Sequence, residues 1–144
     1  MKKIRAFFDA RDVLEVETPL ISHCSTTDPH LDSLATRFRE QDCYLNTSPE
    51  YAMKRLLAQW QQPIYQICKA FRDDELGPNH NPEFTMLEWY RPGYDMMRLM
   101  AEVADLVRYL FEQAEAEPVF EYLSYQQAFQ NVTGIDPHHI SAEQ

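Results

Sequence analysis

Phe71-Arg72-Asp73-Asp74-Glu75-Leu76-Gly77-Pro78-Asn79-His80-Asn81-Pro82-Glu83-Phe84-Thr85-Met86-Leu87-Glu88-Trp89-Tyr90-Arg91-Pro92 is the stretch on which the fold turns. It follows Ile64 to Phe71, an alternating run around Tyr65, Ile67 and Phe71 that reads as an outgoing strand. Leu76 to Pro82 is dense in turn formers. Phe84 to Tyr90 then reads as the return strand. The pattern predicts a hairpin that carries Glu83, Phe84, Glu88 and Tyr90 back past Arg72. Such a hairpin has the parts needed to hold a nucleotide. A guanidinium takes a phosphate in a two-pronged fork, the Phe84 ring offers a stacking face for a base, and His80 offers a donor for an outer phosphate.

Upstream, Thr47-Ser48-Pro49-Glu50 reads as a helix start. Ser48 suits the N-cap, Pro49 the first helical position, and Glu50 the positive end of the helix dipole. Tyr51, Met53, Leu56, Leu57 and Trp60 form its apolar face. Residues 2–12 predict another helix, with Ile4, Phe7, Phe8 and Arg11 on one side. Val13 to Val16 is short and β-prone, and Thr18-Pro19 stops it. Residues 21–36 read as a loop. Leu34 to Phe38 and Cys43 to Leu45 predict two short strands joined at Glu40, Gln41 and Asp42. Asp95 to Glu115 predicts the longest helix, with a core stripe of Met96, Leu99, Met100, Val103, Leu106, Val107, Leu110 and Phe111. Ser124 to Val132 predicts a last short helix, ended by Gly134.

With 144 residues the chain is long enough for one domain with a modest core. The net charge of −10 argues against sequence-independent binding to nucleic acid, which needs a basic surface. It suits a small-molecule enzyme or a docking surface for a basic protein. No apolar run is long enough to span a membrane, and Asp9, Arg11 and Asp12 interrupt any leader-like core, so the expected compartment is the cytoplasm. Cys24, Cys43 and Cys68 are widely spaced and are expected to be buried, reduced thiols. His23, His30, His138 and His139 are expected to be solvated loop residues. No metal site is defined by the protein's own side chains.

The hairpin, above all His80-Asn81-Pro82-Glu83-Phe84-Thr85-Met86-Leu87-Glu88, resembles motif 2 of the class II aminoacyl-tRNA synthetases in their lysine-activating branch. Two further blocks agree in order. The helix to Asp12 with Leu14-Glu15-Val16-Glu17-Thr18-Pro19 resembles motif 1, which implies a homodimer. Thr47-Ser48-Pro49-Glu50-Tyr51 with Met53-Lys54-Arg55-Leu56-Leu57 resembles the amino-acid-binding segment. Together with Glu88-Trp89-Tyr90-Arg91-Pro92 and Tyr94-Asp95-Met96, these blocks are most similar to the short branch that ligates β-lysine to elongation factor P. The resemblance implies an α+β fold: part of a class II synthetase catalytic domain, an antiparallel sheet flanked by helices. Residues 1–144 would be a single incomplete domain. Motif 1 would occupy about 2–19, the amino-acid segment 47–57, motif 2 about 64–92, and a helical connection 95–144.

The resemblance also implies roles. Arg72 would be catalytic, contacting the ATP α-phosphate and the amino-acid carboxylate. Asp73 and Asp74 would line the adenine side, Asn81 and His80 would contact ATP, and Phe84 would stack on adenine. Ser48, Pro49, Glu50 and Tyr90 would bind the lysine or β-lysine, with Glu50 on an ammonium. ATP and magnesium are the implied cofactors, and elongation factor P is the implied acceptor in preference to tRNA. One departure stands out. The family pattern is Arg-x-Glu, whereas this chain has Arg72-Asp73-Asp74, one methylene shorter. A lysyl-tRNA synthetase fragment and a non-catalytic dimerisation or binding module are the competing readings. Nothing after Gly93 resembles the third motif of the class, with its second ATP-binding arginine. The 144-residue polypeptide is therefore expected to be a fragment that does not activate an amino acid. ATP–pyrophosphate exchange measured with lysine and with β-lysine should give no turnover; turnover above a no-enzyme control would refute that expectation.

Overall fold

The computed structural model describes residues 1–73, 77–112 and 118–139. The chain divides into two compact units, Met1–Leu110 and Phe111–Gln144.

In the first unit, helix α1 (Lys2–Asp9) buries Phe7 and Phe8. It ends three residues earlier than the apolar spacing suggests. Asp12 takes a left-handed backbone (φ 53°) and the Val13 N–H turns back to donate to the Phe8 carbonyl at 3.1 Å. Aspartate tolerates that conformation better than most side chains. Strand β1 (Leu14–Glu15) then runs parallel to β5 (Ile64–Phe71), with Leu14 opposite Ile64 and Glu15 opposite Tyr65. Strand β6 (Glu83–Tyr90) pairs antiparallel with β5 over eight positions, from Ile64 opposite Tyr90 to Phe71 opposite Glu83. The predicted hairpin is thus the centre of a three-stranded mixed sheet, ordered β1-β5-β6.

A second sheet, ordered β2-β4-β3, is antiparallel. It contains β2 (Ile21–Ser22), β3 (Ala35–Phe38) and β4 (Gln41–Leu45). Its β3–β4 turn falls at Arg39 and Glu40, both with positive φ, so Gln41 and Asp42 belong to the strand and not to the turn. Two positive φ values make the tight two-residue connection that matches strand twist. Ile21–Ser22 pairs with Tyr44–Leu45 inside a segment that reads as loop; two residues give no periodicity to detect.

Side-chain alternation along β5 and β6 separates the two faces of the first sheet. Tyr65, Ile67, Leu87 and Trp89 face α1 and α3 (Met96–Leu110), joining Phe7, Phe8, Val13 and Leu106 in one core. Phe8 stacks on Tyr65 at 4.5 Å between ring centroids, a contact worth about 0.5–1.5 kcal/mol beyond the area it buries. Ile64 and Tyr90 point the other way, to a smaller cluster with Val16, Met53, Leu56 and Leu57 of helix α2 (Glu50–Trp60). Helix α2 therefore covers one end of that second face.

Helix α3 departs from its predicted stripe. Met96, Leu99, Val103 and Phe111 are exposed, and the positions it buries are Glu102, Ala104 and Leu106. Glu102 accepts from Trp89 Nε1 at 3.1 Å and pairs with the equally buried Arg91. The stripe holds in the second half of the helix, where Leu106 is buried and Leu110 packs on the core, while in the first half a paired buried acid takes the place of an apolar contact.

In the second unit, helix α4 (Tyr125–Thr133) ends on left-handed Gly134, as its sequence predicts, and starts with a reciprocal capping box between Ser124 and Gln127. Asp136 there accepts from Gln126 Nε2 at 2.8 Å and lies 3.0 Å from His139 Nδ1.

The α1–β1 junction is fixed by charge. Arg5 forks onto Glu15 at 2.8–3.0 Å, and Tyr65 Oη donates to the same carboxylate at 3.0 Å. The Arg5 hydrogen bond holds the Glu15 carboxyl below its ordinary 4.5, with partial burial opposing and Tyr65 assisting. Burial, with Glu15, pushes the Tyr65 phenol up to about 12. A depressed carboxylate stabilises the fold fully above its unfolded pKa and loses that contribution as pH falls through the folded value. Glu15→Gln should therefore lower Tm at neutral pH, and the gap from the parent should close on acidification below 4.5. Thermal melts across that range test it; a gap that does not change with pH would remove the ionic account.

Candidate active site

The uncovered part of the second sheet face begins where α2 stops covering it. Phe84, Met86, Glu88 and Tyr90 lie on this side of β6, and their cross-strand partners Ala70, Cys68, Gln66 and Ile64 lie on the same side of β5. Phe84 and Glu88 are four residues apart, so roughly 13 Å separates their positions along the strand. That spacing gives the face two ends of different chemistry.

At one end, the Arg72 guanidinium sits over the Phe84 ring, 5.2 Å from its centroid. Arg72 Nε donates to the Thr47 carbonyl at 3.4 Å, tying the hairpin to the start of α2. Its backbone N–H donates to Pro82 O at 2.9 Å, which carries the β5–β6 pairing one residue past the strand ends. The preceding Phe71 N–H donates to Asn46 O, and the following Asp73 N–H to Asp32 O, both at 2.9 Å. Arg72 is half-buried. An anchored, partly desolvated guanidinium beside an aromatic face suits a phosphate attached to an aromatic base.

The loop beyond is pinched by a Gly77–His80 bridge, with His80 N–H donating to Gly77 O at 3.1 Å. His80 and Asn81 are exposed on that loop, and Asp73 is exposed at its start. Asp74 lies outside the described residues. Arg72 and Phe84 are thus the two predicted nucleotide residues in direct ring contact.

At the other end, acids gather. Tyr90 Oη donates to Glu88 Oε1 at 2.6 Å. Burial raises the Tyr90 phenol far above its usual range, and the hydrogen bond to Glu88 and the charges of Glu88 and Glu50 add to the rise. Both carboxylates therefore act on one hydroxyl. Glu50 also takes an ammonium within the chain: Lys54 Nζ binds its Oε1 one helical turn on, and this bond first, then the Glu50 charge, raises the Lys54 pKa. Gln66, fully buried opposite Glu88, accepts from Thr18 Oγ1 at 3.1 Å.

Helix α2 begins one residue later than its sequence suggests. Pro49 is the cap and makes no side-chain cap bond; Ser48 Oγ accepts weakly from the Glu50 N–H at 3.4 Å. Pro49 is buried and Ser48 half-buried, so both set the turn that presents Glu50. Lys54 and Arg55 face solvent.

Glu88 is the residue whose part in this face the sequence pattern left without a role. The i, i+2 spacing to Tyr90 placed both on one strand face, but the contact itself appears only in the structure, where the Glu50 charge also reaches Tyr90. The thiols are not uniformly buried. Cys43 is buried, Cys68 half-buried and Cys24 exposed. The exposed His23 places Nδ1 3.7 Å from Cys43 Sγ.

For the groups this face would take, the Arg72–Phe84 pair fits a nucleotide. Among the described residues no group of three or more His, Cys, Asp or Glu side chains is arranged to hold a metal ion, so a nucleotide-bound cation would rely chiefly on phosphate and water oxygens. No described helix is long and apolar enough to cross a membrane.

Residues 1–143 match the family model of the class II tRNA synthetases (D, K and N), and the chain belongs to that family. Curated relatives include proteins named elongation factor P–(R)-beta-lysine ligase. The one from Pseudoalteromonas translucida is 53% identical over 150 residues, covering 100% of this chain and 45% of the relative. The one from Erwinia tasmaniensis is 57% identical over 143 residues, covering 95% and 43%. That from Salmonella paratyphi B is 54% identical with the same coverage. The chain thus spans less than half the length of these relatives.

Cys68 reports on this acidic end. Burial comes first in raising its thiol pKa, and the Glu88 charge second. Glu88→Gln should lower that pKa and raise the thiolate fraction, so Cys68 should be alkylated several-fold faster at a fixed mildly alkaline pH. Peptide mapping by mass spectrometry separates it from exposed Cys24. An unchanged Cys68 rate would mean that Glu88 does not face the thiol.

Proposed function

We propose that this class II synthetase domain contributes the nucleotide-binding and amino-acid-binding half of a ligase. That ligase would activate lysine or β-lysine with ATP and pass it to a lysine side chain of elongation factor P. One observation carries the reading. A single sheet face holds an arginine–aromatic pair at one end and a Glu50–Glu88–Tyr90 cluster at the other. An amino acid with a second ammonium needs both: acids for its cations, and an arginine where its carboxylate meets a phosphate.

In the first step a carboxylate oxygen of the amino acid forms a bond to the α-phosphorus of ATP. The bond from that phosphorus to the bridging oxygen breaks, and pyrophosphate leaves. In the second step the acceptor amine attacks the acyl carbon, releasing AMP and a proton. The protein supplies no nucleophile. Its work is alignment of two anions that repel and stabilisation of charge on the phosphorus oxygens. Arg72 would serve both, held in place by the Thr47 carbonyl and the Phe84 ring. Phe84 would stack on the adenine, with Asp73, Asp74, His80 and Asn81 lining the nucleotide. Glu50 would release Lys54 to take a substrate ammonium, since the internal pair already shows its carboxylate binding one. Ser48 and Pro49 would shape that end, with Tyr90 over the amino acid. Magnesium, held by phosphate oxygens, would neutralise charge on the triphosphate when bound.

The remaining assignments belong to the same reading: one incomplete catalytic domain over residues 1–144, a homodimer through the motif 1 segment at 2–19, and a cytoplasmic enzyme. The curated relatives' names favour a protein acceptor over tRNA. The test uses this sequence extended to the length of those relatives. It is given ATP, magnesium and lysine or β-lysine, with elongation factor P and tRNA offered side by side. A mass gain on the factor is expected, and Arg72→Ala should reduce it on the order of 100-fold or more. Charging of tRNA alone would move the chain to the tRNA-charging branch, and modification undiminished by Arg72→Ala would overturn the site.

A further inference from the structure

On the opposite side of the first sheet a cavity of about 220 Å³ opens between the end of α1, the turn after β6 and the first half of α3. It is lined by Arg11, Arg91, Tyr94, Arg98, Glu102 and Asp105 among others. Its side of the sheet is set by Glu102, which binds both Trp89 and Arg91, while Glu88 and Tyr90 project to the other face. It shares no lining residue with the nucleotide and amino-acid face.

The charges do not cancel. Three guanidinium groups line the cavity. Arg91, with only 8% of its side chain exposed, is paired with Glu102 at 3.3 Å, yet its buried Nε has no aligned hydrogen-bond acceptor. Asp105 is hydrogen-bonded to Arg108 at 3.2 Å. Arg11 donates to the Phe7 carbonyl and lies on the Phe7 ring, and Arg98 lies on the Tyr94 ring at 3.9 Å. Arg91 is held against the same Tyr94, at 4.6 Å from the ring and with its Nη2 donating to the hydroxyl at 2.6 Å. One tyrosine thus holds two cations side by side, and the carboxylate balancing one of them is already taken. Like charges gathered in a partly dry concavity favour a counter-anion. Preset guanidinium planes favour an oxyanion with several acceptor oxygens.

We propose that this cavity binds a small phosphate-type oxyanion, inorganic phosphate or pyrophosphate, independently of the nucleotide site. At about 220 Å³ it is smaller than the clefts of roughly 300–1,000 Å³ that enclose drug-sized ligands, so a whole nucleotide does not fit within it.

The test is calorimetric titration of the 144-residue chain with inorganic phosphate and with pyrophosphate, at ionic strength held constant with chloride. Arg98→Ala, an exposed position on α3, should weaken binding about tenfold or more, the scale of losing one charged hydrogen-bonding group. Arg98→Lys, which keeps the charge without the fork, should weaken it less. In Arg72→Ala, which removes any phosphate held at the nucleotide face, the binding event that depends on Arg98 should persist. Circular dichroism of each variant establishes that the fold is kept. No binding to the parent chain would overturn the proposal. So would disappearance of every binding event in Arg72→Ala, or binding indifferent to Arg98→Ala.

Discussion

The eight-position β5–β6 ladder is the constraint on which the rest of this structure depends. Antiparallel pairing with a period of two leaves no choice about which side chains share a face. Once Ile64 sits opposite Tyr90 and Phe71 opposite Glu83, Trp89 and Leu87 must enter the core with Phe8, and Glu88 and Tyr90 must leave it. A slip of one residue would bury Glu88 and expose Trp89. Burial of Tyr65 between Phe8 and the Glu15 carboxylate fixes the register from one side, and packing of Ile64 against Met53 and Val16 fixes it from the other. The core and the functional face are two consequences of one hydrogen-bonded register.

That register also explains how opposite charges coexist on one face. Arg72 lies just past the ladder, and Glu88 lies four residues inward from Phe84, near the covered end. Strand geometry keeps the arginine and the acids apart by roughly the length of a small extended ligand. Were they adjacent they would neutralise each other. Each has instead found another occupation: Arg72 the Thr47 carbonyl and the Phe84 ring, Glu88 the Tyr90 hydroxyl, and Glu50 the Lys54 ammonium. These are contacts that a ligand of matching charge can join or replace with little rearrangement of backbone.

The sequence made the ladder legible because alternation, turn residues and length all agreed over residues 64–90. It made α4 legible because Gly134 ends the helix by local chemistry that depends on no distant partner; the Ser124–Gln127 capping box was found only in the structure. It misjudged the β3–β4 turn, because Arg39 and Glu40 have no turn preference of their own and adopt positive φ only under the demand of the pairing. The two-residue β2 was illegible for a related reason: its pairing with Tyr44–Leu45 is a tertiary fact. At the site, the motif resemblance singled out Arg72, Phe84, Glu50 and Tyr90, and the structure brings Arg72 to Phe84 and sets the Glu50 charge near Tyr90; Glu83, expected beside them, turns to the other face and pairs with Lys69. The role of Glu88 needed the distance to Tyr90, and Asp74 falls outside the described residues.

Helix α3 shows the limit most directly. Apolar periodicity picked out Met96, Leu99 and Val103 as core, yet the helix turns Glu102 inward. The reason is on the neighbouring strand. Trp89 must bury its indole N–H and Arg91 its guanidinium, and both groups cost free energy unless paired. Glu102 serves both at once: Oε2 accepts from the Trp89 indole, and Oε1 lies 3.3 Å from Arg91 Nε and neutralises its charge. Rotating α3 to bury the methionine stripe would strand those donors, a loss larger than the gain from a few flexible apolar side chains. A polar demand created by β6 thus sets which side chains the first half of α3 turns inward, while Leu106 and Leu110 of its apolar stripe pack as the periodicity suggests. Only the three-dimensional adjacency of residues 89, 91 and 102 could reveal it.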